Sequence, residues 1–221
     1  MGTYILFINH KLFEYQFDQL PKMGYRCIGI DTRGFGDSDK PWSGYGYDSL
    51  SDDVRCVIDA LKLHDITLAG HSTGGAIAIR YMARHKGHGV PRKVIDDIIQ
   101  GTYTDRPKML RDFGDIFFFQ HITEPLSDWF FQLGLQAAGW ATADIANTWI
   151  NEVLFSDLGK INVPTLIIHG IHDKVVPFPL GEIQKESIRN SKLIPFEFSG
   201  HATFYDQKDK FNEELTRFIE E

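Results

Sequence analysis

The sequence predicts an α/β fold: a doubly wound, mostly parallel sheet with a helical segment set into it. Three observations point there. Residues 3–86 alternate between short apolar, β-rich runs and helix-patterned stretches. The alternation lapses over residues 93–156, where the pattern is helical and aromatic. It resumes from Val163 with two more strand–helix pairs. Crossovers of that size make parallel strands.

Taken in order, "TYILFI" (3–8) reads as a strand buried on both faces. Phe13, Phe17 and Leu20 follow at helical spacing, with Gly24 as the stop. "RCIGID" (26–31) is the second strand and runs into the turn-rich loop "TRGFGDSDKPWSGYGY". Asp48 or Ser49 is placed to cap the next helix, whose apolar stripe is Leu50, Val54, Val57, Ile58 and Leu61. "ITLAG" (66–70) is the third strand, and "GGAIAIRYMARH" (74–85) is a helix whose small first residues allow close approach to the sheet. Strands at 163–170 and 192–200 follow, with a helix in "PLGEIQKESI" and a last one whose stripe is Phe211, Leu215, Phe218 and Ile219. The expected organisation is a core of residues 1–92 and 157–221 and a helical cap of residues 93–156.

Bulk properties narrow the function. Hydrophobic residues are 43% and charged residues 24%, as in a soluble globular domain. A net charge of −7 disfavours nucleic-acid and anionic-membrane partners. No stretch has the length of a membrane span, and "MGTYILFINHK" lacks a signal-peptide pattern. Leu6 stands where a myristoylation motif wants Ser or Thr. Cys27 and Cys56 match no metal or redox spacing, so buried free thiols and a cytoplasmic location are expected.

The chemistry begins at Gly70-His71-Ser72-Thr73-Gly74, which satisfies G-x-S-x-G. A serine between strand and helix needs a tight turn to expose its hydroxyl, and small neighbours permit it. The helix start then offers N–H groups where an oxyanion would form, Thr73 N–H first. Taken alone the motif equally fits a helix-start turn with a capping serine. A nucleophile also needs a base and an orienting acid, following in the order Ser, Asp/Glu, His at later strand ends. "LIIHGIHDKVVP" puts Asp173 just past a strand, and "FEFSGHATFYD" puts His201 just past the last one. His169 and His172 could suggest a metal, but no further carboxylate or cysteine cluster supports it, so no metal is expected. His85 and His88 read as a solvated helix end.

"GYRCIGIDTRGFGDSDKP", "ITLAGHSTGGAIAIRYMARH", "INVPTLIIHGIHDKVVP" and "SGHATFYDQKDKFNEEL" together resemble the α/β-hydrolase superfamily. Within it they resemble the arylesterase, or cofactor-free haloperoxidase (perhydrolase), group of serine esterases. The resemblance implies Ser72 as nucleophile, Asp173 as acid, His201 as base, no cofactor, and a cap over an acyl or aryl pocket. It makes Arg33 and Asp37 parts of a structural turn. Candidate pocket residues are His71, Phe119, Trp140, Val175, Val176 and Phe204. A minority of the cap aromatics, from Phe117, Phe118, Phe119, Trp129, Phe130, Phe131 and Trp140, is expected at substrate.

The sequence departs from that family in three places. The family's opening strand pair is absent before residue 3. Asn9-His10 stand where His-Gly is usual, in a loop several residues short, so the second oxyanion N–H is expected from His10 or Lys11. The parallel strand that should follow the helix after Ser72 is missing, because "VIDDII" makes a poor central strand. Its loss would carry the acid's strand sideways by about 4.8 Å, next to the nucleophile's strand. The joins fall near Asn9 and Gly89. Edges left open would favour a homo-oligomer.

The expected function is a serine carboxylesterase acting on small apolar esters, with a perhydrolase side activity implied by the resemblance. The alternative is a non-catalytic α/β scaffold that binds a small molecule.

Overall fold

The computed structural model describes residues 3–83, 92–152 and 154–221. Three strands form one parallel sheet in the order β2-β1-β3: β1 (Thr3–Ile8), β2 (Arg26–Asp31) and β3 (Ile66–Gly70). Thr3 of β1 pairs with Arg26 on one side and Ile66 on the other. Two more, β4 (Thr165–Gly170) and β5 (Ser191–Phe196), pair in parallel as a second sheet. The helices are α1 (Glu14–Gln19), α2 (Tyr47–Ala60), α3 (Thr73–Ala83), α4 (Arg92–Thr104), α5 (Arg106–Phe117) and α6 (Glu124–Leu135). They continue with α7 (Gly139–Asn151), α8 (Phe155–Leu158), α9 (Pro179–Ser187), α10 (Thr203–Asp206) and α11 (Lys208–Glu220). None of the described helices is long and apolar enough to cross a membrane.

The largest core packs α2 and α3 under β2 and β3. Leu50, Val54, Ile58, Leu63 and Ile77 are its buried centre. Arg80 lies buried beneath it and pairs with Asp48 at 2.6 Å and Asp157 at 3.0 Å, so a charge that burial would otherwise penalise is compensated.

Several local expectations are corrected. The stretch after β1 is three short pieces rather than one helix: 3₁₀ turns at His10–Phe13 and Leu20–Met23 flank α1. Pro21, lacking an N–H, sits at the start of the second turn, and Gly24 ends it at φ 89°. Neither Asp48 nor Ser49 caps α2. Gly46 is the cap residue, and the Glu152 carboxylate of the α7 end accepts the Tyr47 N–H at 3.2 Å. Leu61 is exposed, because the chain turns back after α2 and buries Leu63 instead. Cys56 is exposed and Cys27 only half-buried, so neither is the buried thiol expected. The last strand stops at Phe196, and residues 197–200 turn toward α10.

The cap stretch is helical throughout its long elements, α4 to α7, and "VIDDII" lies inside α4 rather than in a strand. His85, His88 and the join near Gly89 lie outside the described residues. Among the described residues no strand stands between β3 and β4, yet β4 does not slide over to pair with β3. The expected sideways shift does not occur. Leu158 and Ile161 at the α8 end pack with Ile188 beyond α9 and with Ile79 of α3, forming a bridge between the two sheets' helices. That bridge holds the sheets apart, and a cavity of about 380 Å³ lies between β3 and β4, lined by both.

Gly70 shows how tightly the third strand meets its helix. A Cβ there would run into the Gly74 carbonyl and the Gly75 N–H, both backbone. Gly70→Ala is therefore expected to destabilise the fold by about 3 kcal/mol. Gly159→Ala, where φ is −67° and a Cβ meets nothing within 4 Å, should be close to neutral. Urea denaturation of the two variants checks the contrast.

Candidate active site

β3 ends at Gly70 and α3 begins at Thr73, so His71 and Ser72 make the whole connection. Ser72 takes a left-handed conformation at φ 53°, unfavourable for a residue with a Cβ and maintained by the packing around it. Thr73 occupies the first position of α3, where N–H groups have no acceptor within the helix. Its Oγ1 accepts a hydrogen bond from Trp149 Nε1 at 3.0 Å, which ties the cap helix α7 to the turn.

Asp173 follows β4 in a short turn. Its Oδ1 accepts the N–H groups of Val175 and Val176, each at 2.8 Å. Its Oδ2 lies 2.8 Å from His201 Nδ1. Burial by itself would raise the Asp173 pKa, but bonds from His169, His201 and Val176 outweigh it and hold the carboxyl well below the usual carboxylate range. The His169 contact is the weakest of these. His169 Nε2 is 3.5 Å from Asp173 Oδ2 but 2.9 Å from the Val176 carbonyl. A carboxylate on Nδ1 favours the proton there and leaves His201 Nε2 with its lone pair. That Nε2 is buried without a hydrogen-bond partner, and His201 lines the same 380 Å³ cavity as Ser72.

The two loops are locked to each other through backbone. His172 N–H donates to Ser199 O at 3.0 Å, and a Cβ on Gly170 would collide with the carbonyls of Ser199 and Gly200. Asp206 adds a clamp by accepting the N–H groups of Gly200 at 2.8 Å, Phe119 at 3.0 Å and Gln120 at 3.0 Å. His71 supports His201 from beneath. Its Nε2 is 2.7 Å from the His201 carbonyl, and its ring meets Phe117, Phe204 and His201 edge-on. Burial, then the neighbouring His201, push its pKa down to about 3. The ring is thus neutral, with Nε2–H donating to that carbonyl.

A second cavity, of about 180 Å³, opens on the cap side of Ser72. Phe113, Phe117, Phe130, Phe131 and Trp149 form its apolar wall. The structure thus brings Ser72, Asp173, His201, Thr73, His71, Val175 and Val176 to one site. Three expected pocket residues stand elsewhere. Phe119 stacks on His172 with ring centroids 4.2 Å apart. Trp140 stacks on exposed Trp42 and donates to Pro41 O. Phe204 is fully packed under Phe13 and His71. Phe204 neighbours His201 in sequence, but its side chain points into the core below the site.

The expected second oxyanion donors are corrected too. His10 N–H donates to Asp31 Oδ1 at 2.8 Å, and Lys11 N–H donates to Asn9 Oδ1 at 3.0 Å, so both are engaged. The His10 ring bonds the same Asp31 oxygen. Asn9, which stands out in the sequence only as a departure from His-Gly, is buried and lines the smaller cavity with Ser72 and Thr73. Arg33 pairs with Asp53 through two bonds of 2.6 Å, and Asp37 N–H donates to Asp31, which makes that loop structural.

A parallel sheet with helices on its faces, a strained serine at one strand end and an Asp–His pair at the next two define a hydrolase of the α/β class. The family model for the alpha/beta hydrolase fold matches residues 6–133. The chain belongs to that family. It is 43% identical to the AB hydrolase superfamily protein YisY of Bacillus subtilis (strain 168), over 96% of this chain and 87% of that protein. It is 29% identical to the non-heme chloroperoxidase CPO-A1 of Kitasatospora aureofaciens, over 96% and 88%. An esterase from Exiguobacterium antarcticum superposes with a TM-score of 0.94 at 38% identity, over 100% of this chain and 92% of that one. So close a superposition excludes a one-strand slide of half the molecule. The YisY match runs over 234 positions but takes in only 96% of 221 residues, so about twenty positions have no counterpart here.

Asp173 has a folded pKa below its unfolded value of about 3.9. Its contribution to stability is present above that unfolded value and is lost as pH falls through the folded one. The advantage in Tm of the natural chain over Asp173→Asn should therefore shrink between about pH 4 and pH 2. Thermal melts of the two across that window test it, and a constant gap would contradict the ionised, bonded carboxylate.

Proposed function

We propose that this chain is a serine carboxylesterase acting on esters of small carboxylic acids. Ser72 is the nucleophile, His201 takes its proton at Nε2, and Asp173 holds the imidazole in the required tautomer. The carbonyl carbon becomes bonded to Ser72 Oγ, His201 protonates the departing alcohol, and water then releases the acid. Thr73 N–H is one oxyanion donor, and the Asn9 side-chain amide takes the place of the engaged loop N–H groups as the other. The observation that carries the reading is the Asp173–His201 bond of 2.8 Å, with His201 Nε2 left unpartnered and His201 lining the same cavity as Ser72. Bonds between serine and histidine are often long in the free enzyme and tighten once substrate is present.

A second reading uses the same acyl-enzyme. The chain's similarity to the bifunctional esterase/perhydrolase DCH of Acinetobacter calcoaceticus, 28% identical over 90% of this chain, favours it: hydrogen peroxide in place of water would release a peracid.

A fluorophosphonate probe should label the natural chain at Ser72, and Ser72→Ala should lower kcat/KM on an activated aryl acetate by about 1000-fold or more. Unlabelled protein with intact ligand binding would instead identify a non-catalytic scaffold. Asn9→Ala should lower kcat by about 100- to 1000-fold with little change in KM. An unchanged kcat would remove Asn9 from the oxyanion site.

A further inference from the structure

The larger cavity has an unusual construction. Leu68 and Gly70 of β3 line one side of it, and Thr165 to Gly170, the whole of β4, line the other. Each is the terminal strand of its sheet, and among the described residues neither is paired along the edge that faces the cavity. Both run parallel in their own sheets. Ile79, Leu158, Leu180 and Ile188 cover one face of the slot. Ser72 and Thr73 line both this slot and the smaller cavity, whereas His201 lines the slot alone of the two.

We propose that this slot is a substrate subsite for the alcohol part of the ester, and that it takes an extended, amide-bearing chain laid between the two open strand edges. The proposal rests on the esterase reading of Ser72. The side is chosen by proton transfer: the leaving oxygen must lie within reach of His201, which lines the slot and not the smaller cavity. The small acyl group then occupies the aromatic-walled cavity of about 180 Å³. The chemistry of the chain is chosen by the edges. Strand edges present rows of N–H and C=O groups that recruit another extended backbone. A simple alkyl chain gains about fourfold in affinity per buried methylene. Each edge group that it strips of water and leaves unpaired loses about 5- to 150-fold. Several such groups on two facing edges outweigh a chain of ordinary length, whereas a peptide-like chain pairs with them and still presents side chains to the apolar cover.

The reaction remains hydrolysis: acyl transfers to Ser72, the alcohol leaves with the proton from His201, and water yields the free acid. The test compares three acetate esters on the natural protein: one of a linear alkanol, one of a serine-terminated oligoalanine of equal length, and the same peptide with its amides N-methylated. Activated aryl acetate serves as the reference. The peptide ester should exceed the alkanol ester in kcat/KM by at least about tenfold, and N-methylation, which removes donors but not bulk, should abolish that gain. An alkanol ester equal to the peptide ester, or a methylated peptide equal to the unmethylated one, overturns the subsite while aryl acetate turnover leaves the esterase standing. No turnover of aryl acetate overturns the esterase itself, and the subsite with it.

Discussion

The site depends on β4 keeping its place although, among the described residues, no ladder joins it to β3. A parallel sheet ordinarily transmits position from strand to strand through hydrogen bonds about 4.8 Å apart. Here that chain is interrupted, and packing does the positioning instead. The Leu158, Ile161, Ile188 and Ile79 contacts link the helices on either side of the gap. Arg80 lies along the same bridge as an ion pair, its buried Nε 3.0 Å from Asp157 Oδ2 in α8, next to Leu158, though not aligned as a hydrogen bond. Were β4 to slide inward, Asp173 and His201 would move together, since Gly170 and Gly200 lock their loops, and both would miss Ser72. Interior packing has discrete rather than continuous solutions, so a close-packed apolar bridge can set this distance.

His201 is held by three unrelated elements. Asp173 orients its ring, His71 holds its backbone carbonyl, and Asp206 ties Gly200 to the cap residues Phe119 and Gln120. Burial raises the Asp206 carboxyl above its ordinary pKa even though three N–H groups favour the charged form. This clamp thus works against its own desolvation, and its use lies in geometry more than in stability. His71 makes a parallel case, because its buried, neutral ring places no positive charge beside His201.

Much of this was legible in the sequence where one residue type answers one physical demand. Gly70, Ser72, Asp173 and His201 each sit where a strand end needs a tight turn or a side chain at the sheet's C-terminal rim. The central strands were legible for the same reason, as short apolar runs bounded by Gly and Asp. What was not legible depended on contacts between distant segments. Phe119 and Trp140 look like pocket aromatics by composition, but His172 and Trp42 take their ring faces. Trp149 carried no local signal at all, since its role comes from a bond to Thr73, far away in sequence. The cap of α2 was hidden in the same way, because Glu152 supplies it from the far end of α7.

The oxyanion side shows how a short loop redistributes roles. Asp31 ends β2 and needs donors for a largely buried carboxylate. It finds them in the N–H and ring of His10 and in the N–H of Asp37, and these bonds keep it ionised against its burial. A longer loop could meet that demand and still spare an N–H for substrate. The short "NHK" turn cannot, because Asn9 Oδ1 also takes the Lys11 N–H to close its own 3₁₀ turn. Asn9 itself still lines the cavity, and its side-chain amide nitrogen is the donor it can offer. Its bond to Gln136 Oε1 is weak by length, at 3.4 Å, and an amide carries two N–H groups. A side-chain donor is less rigid than a backbone one, but Asn9 is fixed by its own Oδ1 bond and by burial. In the proposed reaction the short loop would therefore shift the second donor from the main chain to the Asn9 side chain.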